Sequence, residues 1–166
     1  MKTTNGKKRR AIVGIVGGHR EDGPCLDEAL RLGRAIAERG YVLMTGGGTG
    51  IMRAASEGAA LAGGLTVGIL PDDRKNSRPG YPNEFIQVPI YTGLGDARNV
   101  INALTPDIII ALPGSYGTLS EIVLALKAGT PVISFGAPSF ERSAEAPLHT
   151  ASSVEETLHM LDLLMG

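Results

Sequence analysis

The chain has 166 residues, enough for one domain with its own core. Its 23 glycines, few aromatics and lack of tryptophan suit an α/β protein with many tight turns, and a net charge of −1 carries no global nucleic-acid signature. No apolar run reaches membrane-spanning length, and the single cysteine, Cys25, excludes an internal disulfide and fits a reducing cytoplasm.

Residues 1–10 hold Lys2, Lys7, Lys8, Arg9 and Arg10 and no acid. The chain's 16 basic residues include these five, so 11 remain against 17 acids and the body sits near −6. The segment reads as a disordered, solvated basic arm ahead of one domain over residues 11–166, with a nucleic-acid arm as the alternative. It has the charges of a signal peptide but no long apolar core before Gly17-Gly18.

Residues 11–16 predict the first strand, ending at Gly17-Gly18-His19. A helix follows over residues 24–39, with Leu26, Ala29, Leu30, Gly33, Ile36 and Ala37 on one face and Gly40 as its stop. Cys25 falls at its start, as a thiol lowered by the helix terminus or simply as a small residue. Residues 41–44 predict the second strand, and Thr45-Gly46-Gly47-Gly48-Thr49-Gly50 a glycine loop into a second helix. Residues 65–70 predict a third strand. Residues 71–83 form a polar, proline-punctuated loop, the segment most expected to move.

Residues 85–89 predict a short strand, and Gly93-Leu94-Gly95 leads into a helix over residues 96–104. Ile108 to Leu112 is a continuous apolar run, the pattern of a parallel strand covered on both faces. Pro113-Gly114 stops it, and Gly117-Thr118 opens the next helix. Residues 131–135 and 148–151 predict two more strands, and Ser153-Val154-Glu155-Glu156 a capping box for the last helix. Strands and helices alternate, which predicts a doubly wound, mostly parallel sheet with helices on both faces.

Four strand ends carry glycines: Gly17-Gly18, Gly46 to Gly48, Gly93 with Gly95, and Gly114 with Gly117. In a parallel sheet they share one edge, where backbone N–H groups and helix dipoles suit a phosphate. Tight turns need glycine anyway, and that accounts for part of the pattern. The chain has no G-x-x-x-x-G-K-S/T, and Arg98 stands where a dinucleotide fingerprint needs its third glycine, so P-loop and NAD chemistry are disfavoured. His19, His149 and His159 form no ligand-spaced cluster, so no metal site is expected. Glu121 fits a capping box, Thr118-Leu119-Ser120-Glu121. Arg98 opposes the dipole of its helix, which points to an anionic partner or to an ion pair with Asp96 or a loop acid.

Gly47-Gly48-Thr49-Gly50-Ile51-Met52 with Ala54, Asp96-Ala97-Arg98-Asn99, and Pro113-Gly114-Ser115-Tyr116-Gly117-Thr118-Leu119-Ser120-Glu121 together resemble the LOG family. That family is often labelled lysine decarboxylase and is grouped with the DprA/Smf-related Rossmann-like proteins. The resemblance runs over nearly the whole chain. The Gly-Asp-Ala-Arg-Asn version is similar to a subgroup near the molybdenum-cofactor carrier proteins, which share the fold.

The resemblance implies a homodimer that binds a nucleotide or other phosphorylated small molecule. It implies hydrolysis of the N-glycosidic bond of a nucleoside 5′-monophosphate to base and ribose 5-phosphate, with no metal or redox cofactor. Glu121 and Arg98 match the family's catalytic pair. Gly114, Ser115, Gly117 and Thr118 would cradle the phosphate, with Gly17, Gly18, Gly47, Gly48 and Thr49 completing the pocket. Ser115 replaces a motif glycine and would be strained at positive φ. Asn99 replaces a lysine. Decarboxylation would need a Schiff-base lysine, and beyond the arm there are only Lys75 and Lys127. A non-catalytic carrier of a phosphorylated ligand and a DprA-like DNA-binding module are the alternatives.

Overall fold

The computed structural model describes residues 3, 4, 7–141 and 143–166. Of the basic arm, residues 1, 2, 5 and 6 lie outside them. Strands β1 (Thr3–Thr4) and β2 (Lys7–Lys8) pair antiparallel, with Thr3 opposite Lys8. Arg9 forms a two-pronged ion pair with Asp107, whose carboxylate also accepts the Ile12 N–H at 2.9 Å. Those hydrogen bonds and the guanidinium charge hold the Asp107 carboxyl below the usual range.

The main sheet is built from β3 (Ile12–Val16), β4 (Val42–Thr45), β5 (Thr66–Leu70), β6 (Val88–Tyr91), β7 (Ile108–Ala111), β8 (Val132–Ser134) and β9 (Leu148–Thr150). Their spatial order is β6-β5-β4-β3-β7-β8-β9, and every pairing is parallel. The chain winds outward from β3 through β4, β5 and β6, then returns to the other side of β3 with β7. This is the doubly wound, Rossmann-like α/β fold. It puts a topological switch point between β3 and β7, where Val13 lies beside Ile108.

The helices are α1 (Leu26–Glu38), α2 (Ile51–Leu61), α3 (Asn99–Leu104), α4 (Tyr116–Lys127) and α5 (Val154–Met165), with a 3-10 turn at Gly95–Arg98 before α3. Alternate residues of the central strands feed two cores. Val13, Ile15, Leu43, Ile108, Ile110 and Ile133 pack on α1, α2 and α5; Val16, Ile109, Ala111 and Val132 pack on Ala103 of α3 and on Ile122 and Ala125 of α4. Burial on both faces is why β7 is apolar at every position. Helices α1 and α2 touch through backbone: a Cβ on Gly33 would stand 2.0 Å from the Ala55 carbonyl oxygen, and one on Gly58 2.0 Å from that of Leu30.

Three local expectations change. The strand expected at 85–89 runs over Val88–Tyr91, because the buried Thr66 hydroxyl donates to the Phe85 carbonyl at 2.6 Å and accepts the Gln87 N–H at 2.9 Å, which turns the chain first. The helix expected over 96–104 begins as a 3-10 turn. Helix α4 starts at Tyr116, so Thr118 and Glu121 lie inside it and no Thr118–Glu121 capping box forms. At Ser153 half of the expected box forms, its hydroxyl accepting the Glu156 N–H at 3.1 Å, while the Glu156 carboxylate reaches one residue further back, to the Ser152 N–H at 2.7 Å. No helix among the described residues is long and apolar enough to cross a membrane.

Candidate functional site

The carboxyl ends of β3 and β7 meet the start of α2 at one point. The Gly18 N–H donates to the Pro113 carbonyl at 2.8 Å, and the Ile51 N–H donates to the Gly18 carbonyl at 2.9 Å. Two cavities open there. One, about 380 Å³, is lined by Gly18, His19, Arg20, Gly23, Pro24, Ile51, Pro113, Gly114 and Ser115. The other, about 250 Å³, is lined by Gly17, Gly18, His19 and Met52 on one side and Ser115, Gly117, Thr118 and Glu121 on the other. Arg78, Tyr81, Asp96, Arg98 and Asn99 complete its wall. Gly18, His19 and Ser115 belong to both.

Most of the expected site residues converge here. Ser115 caps α4 with φ −114°, so the serine in place of the motif glycine is extended and unstrained. Gly114 is the position that cannot carry a side chain, since its Cβ would stand 2.0 Å from the Thr118 hydroxyl oxygen. Gly117 has room for one, its nearest neighbour being the Asn99 amide at 3.9 Å. Asn99 donates to the Ser120 hydroxyl at 3.0 Å.

Gly47, Gly48 and Thr49 do not line either cavity. Their loop is a floor. A Cβ on Gly46 would meet Arg98 Nη1 at 2.6 Å; one on Gly47, at φ 74°, Leu70 at 2.4 Å; one on Gly48, the Tyr81 ring at 2.1 Å. Thr49 donates to the His19 carbonyl at 2.7 Å. The long loop after β5 is fastened onto this floor. The buried Asn83 donates its backbone N–H to the Gly47 carbonyl and its side-chain amide to the Gly48 carbonyl, both at 2.8 Å.

Arg98 is half-buried. Its Nη1 donates to the Ile69 carbonyl at 2.5 Å and to the Gly46 carbonyl, joining the ends of β4 and β5. No ion pair with Asp96 forms. Glu121 is 8 % exposed, and its Oε1 accepts from Asn102 Nδ2 at 3.0 Å. Burial pushes the Glu121 carboxyl up to about 7, against the opposing pull of the Asn102 hydrogen bond and the Arg98 charge. Asn102 is itself buried, and its Oδ1 has no hydrogen-bond partner among the described residues.

Arg78, Tyr81 and Asn102 escape a sequence reading. The first two sit in a polar loop with no periodicity, and Asn102 is one polar residue on a short helix. Cys25 does not line either cavity, and burial, with the charge of Glu28, raises its thiol. Among the described residues no group of three His, Cys, Asp or Glu side chains could hold a metal ion.

The chain is similar to known proteins over most of its length. It is 40% identical over 148 residues to an uncharacterized protein of Archaeoglobus fulgidus, covering 85% of this chain and 95% of that one. The molybdenum cofactor binding protein of Rippkaea orientalis superposes with a TM-score of 0.87 at 37% identity, over 96% of this chain and all of the other. The molybdenum cofactor carrier protein of Chlamydomonas reinhardtii gives 0.82 at 36% identity, over 95% and 99%. A cytokinin riboside 5′-monophosphate phosphoribohydrolase of Oryza sativa is 33% identical over 103 residues, 58% of this chain, and the match spans 40% of that enzyme's length. DNA processing protein A of Helicobacter pylori, at 20% identity and a TM-score of 0.69, shares the fold alone. The sequence matches the SLOG cluster4 family over residues 10–162, and the chain belongs to that LOG-like family.

Proposed function

We propose that this protein binds and carries a phosphorylated small molecule that also has a flat ring system, of the molybdenum-cofactor type. The observation that supports this best is the pair of cavities meeting at Gly18, His19 and Ser115. One is walled by Ile51, Pro24 and Pro113 and suits a ring. The other brings the start of α4 together with Arg78 and Arg98 and suits an oxyanion. The full-length similarity to the cofactor-binding and carrier proteins favours cargo of that class.

Glu121 favours a second reading, hydrolysis of a nucleoside 5′-monophosphate. A buried carboxylate beside the phosphate cradle could stabilise an oxocarbenium-like ribose as the base departs, or help a water attack. Two features weigh against it. One Glu121 oxygen is engaged by Asn102, and Arg98 Nη1 is engaged by two backbone carbonyls.

Release of free base from a panel of nucleoside 5′-monophosphates, run beside binding of anaerobic molybdenum cofactor, separates the two. Cofactor retention without base release is the expected result. Base release that disappears in Glu121→Gln would replace it with the hydrolase reading.

We further propose that two copies pair through α3 and α4, where Val100, Leu104, Tyr116 and Val123 are exposed, with the exposed Leu94 ahead of the 3-10 turn beside them in the chain. Light scattering on wild type and Tyr116→Arg tests this. A wild-type monomer would refute it.

A further inference from the structure

The loop between β5 and β6 brings Arg78 and Tyr81 up to Arg98 of the 3-10 turn, so that two cationic side chains flank one aromatic ring. Arg78 and Arg98 set their guanidinium carbons 5.6 and 5.8 Å from the Tyr81 ring centre. All three residues line the 250 Å³ cavity. The ring is seated on Gly48, where a Cβ would stand 2.1 Å from it, and the Ser77 hydroxyl donates to the Tyr81 carbonyl.

Each arginine is tethered by one side of its fork. Arg78 gives Nε to Asp72 Oδ2 at 2.7 Å and Nη2 to Asp72 Oδ1 at 2.8 Å, a side-on grip that fixes the guanidinium plane. Asp72 Oδ2 also accepts the Arg78 backbone N–H at 3.1 Å, so the carboxylate holds both ends of the residue. No hydrogen bond to Nη1 of Arg78 is formed among the described residues. Among the described residues Arg98 is tethered through Nη1 alone, to the Gly46 and Ile69 carbonyls. The end-on edge of Arg78 and the Nε and Nη2 groups of Arg98 are the donors left over. Of the cavity's two acids, Asp96 and Glu121, burial pushes the second toward its neutral form.

We propose that Arg78 is a ligand-binding residue of this site. It grips the tetrahedral oxyanion of the ligand, a phosphomonoester, through its Nη1–Nη2 edge, with Asp72 as the positioning residue behind it and the Tyr81 ring as the surface both guanidiniums rest on. This rests on the reading of the site as one for a phosphorylated ligand, and it adds the residue that tells a phosphorylated ligand from its dephosphorylated form. Lysine cannot replace Arg78, because a single ammonium cannot satisfy Asp72 side-on and present a planar two-donor edge to the ligand.

The test is calorimetric titration of inorganic phosphate, AMP, GMP and adenosine into wild type, Arg78→Met, Arg78→Lys and Asp72→Asn. Wild type is expected to prefer a nucleotide over adenosine. Arg78→Met and Arg78→Lys should weaken phosphate and nucleotide binding tenfold or more and leave adenosine binding and the thermal midpoint unchanged. Asp72→Asn should give a smaller loss of the same kind, absent when combined with Arg78→Met. An Arg78→Met protein that keeps the wild-type preference for nucleotide over adenosine overturns the assignment of Arg78 and leaves the reading of the site intact. A wild-type protein that binds none of the phosphate-bearing compounds overturns both.

Discussion

Asn102 and Glu121 are joined by a single hydrogen bond of 3.0 Å, from the Asn102 amide to Glu121 Oε1, between two buried side chains on packed helices. Asn102 holds the carboxyl at the wall of the cavity, and Glu121 has no ion-pair partner among the described residues. That arrangement makes the protonation of Glu121 a property of the fold, and it can be measured.

Stability should fall with rising pH across the titration of Glu121. Its carboxyl is raised from 4.5 to about 7 in the folded protein. The folded state therefore binds more protons than the unfolded state between those values. The contribution of the neutral carboxyl is complete below about 4.5 and is lost as pH rises through about 7. A Glu121→Gln protein, which can still accept from Asn102, should gain on wild type over that window by up to about 3 kcal/mol. Urea midpoints at pH 4.5 to 8.5 read the gap. Parallel curves for the two proteins would disprove the shift.

Replacing Asn102 by alanine removes the donor that stabilises the ionised form of Glu121. The carboxyl should titrate still higher, as read by carbon NMR of labelled glutamate. The protein should lose about 1–3 kcal/mol from a vacated buried site and a less satisfied Glu121. An unmoved carboxyl titration would place Glu121 under other control.

Glycine substitutions should divide by what their Cβ would strike. Gly33→Ala and Gly58→Ala drive a methyl into a helix backbone carbonyl at 2.0 Å and should cost about 3 kcal/mol. A Gly48→Ala methyl meets the Tyr81 side chain first, at 2.1 Å, and that ring can swing away, so stability should change little while phosphate binding falls. Gly40→Ala meets nothing within 4 Å and should cost about 1 kcal/mol from its φ of 75° alone. Thermal midpoints of the four proteins check the order, and a Gly48→Ala protein as damaged as Gly33→Ala would refute the reading of the Tyr81 contact.

Cys25 holds a left-handed conformation, φ 64°, at the start of α1, the only non-glycine residue with positive φ among those described. Cys25→Asn should be tolerated or stabilising, because asparagine adopts this region readily, whereas Cys25→Val should lose about 1–2 kcal/mol. The thiol, raised by burial, should react slowly with iodoacetamide at neutral pH. Rapid alkylation in the folded protein would contradict that environment.

Much of the fold was legible along the chain. Ile108 to Leu112 announced a central strand because a strand covered on both faces has no polar positions, and the parallel sheet puts the glycine-ended strands on one common edge. The boundaries that shifted did so where a side chain from elsewhere intervened, as when Thr66 captured the turn at Phe85. The local match of Thr118 and Glu121 to a capping box failed because α4 begins two residues before Thr118, at Tyr116.

Hydrophobic period and turn chemistry are local properties, so the alternation of strands and helices, the parallel sheet and the edge where Glu121, Arg98, Gly114 and Thr118 gather can be read along the chain. That Gly46 to Gly48 form a floor for Arg98 and Tyr81, that Arg78 reaches the cavity, and that Glu121 is buried against Asn102 emerges from long-range packing. Those facts depend on which distant segments touch, and on how much water their contact removes, and neither is written in the spacing of residues along the chain.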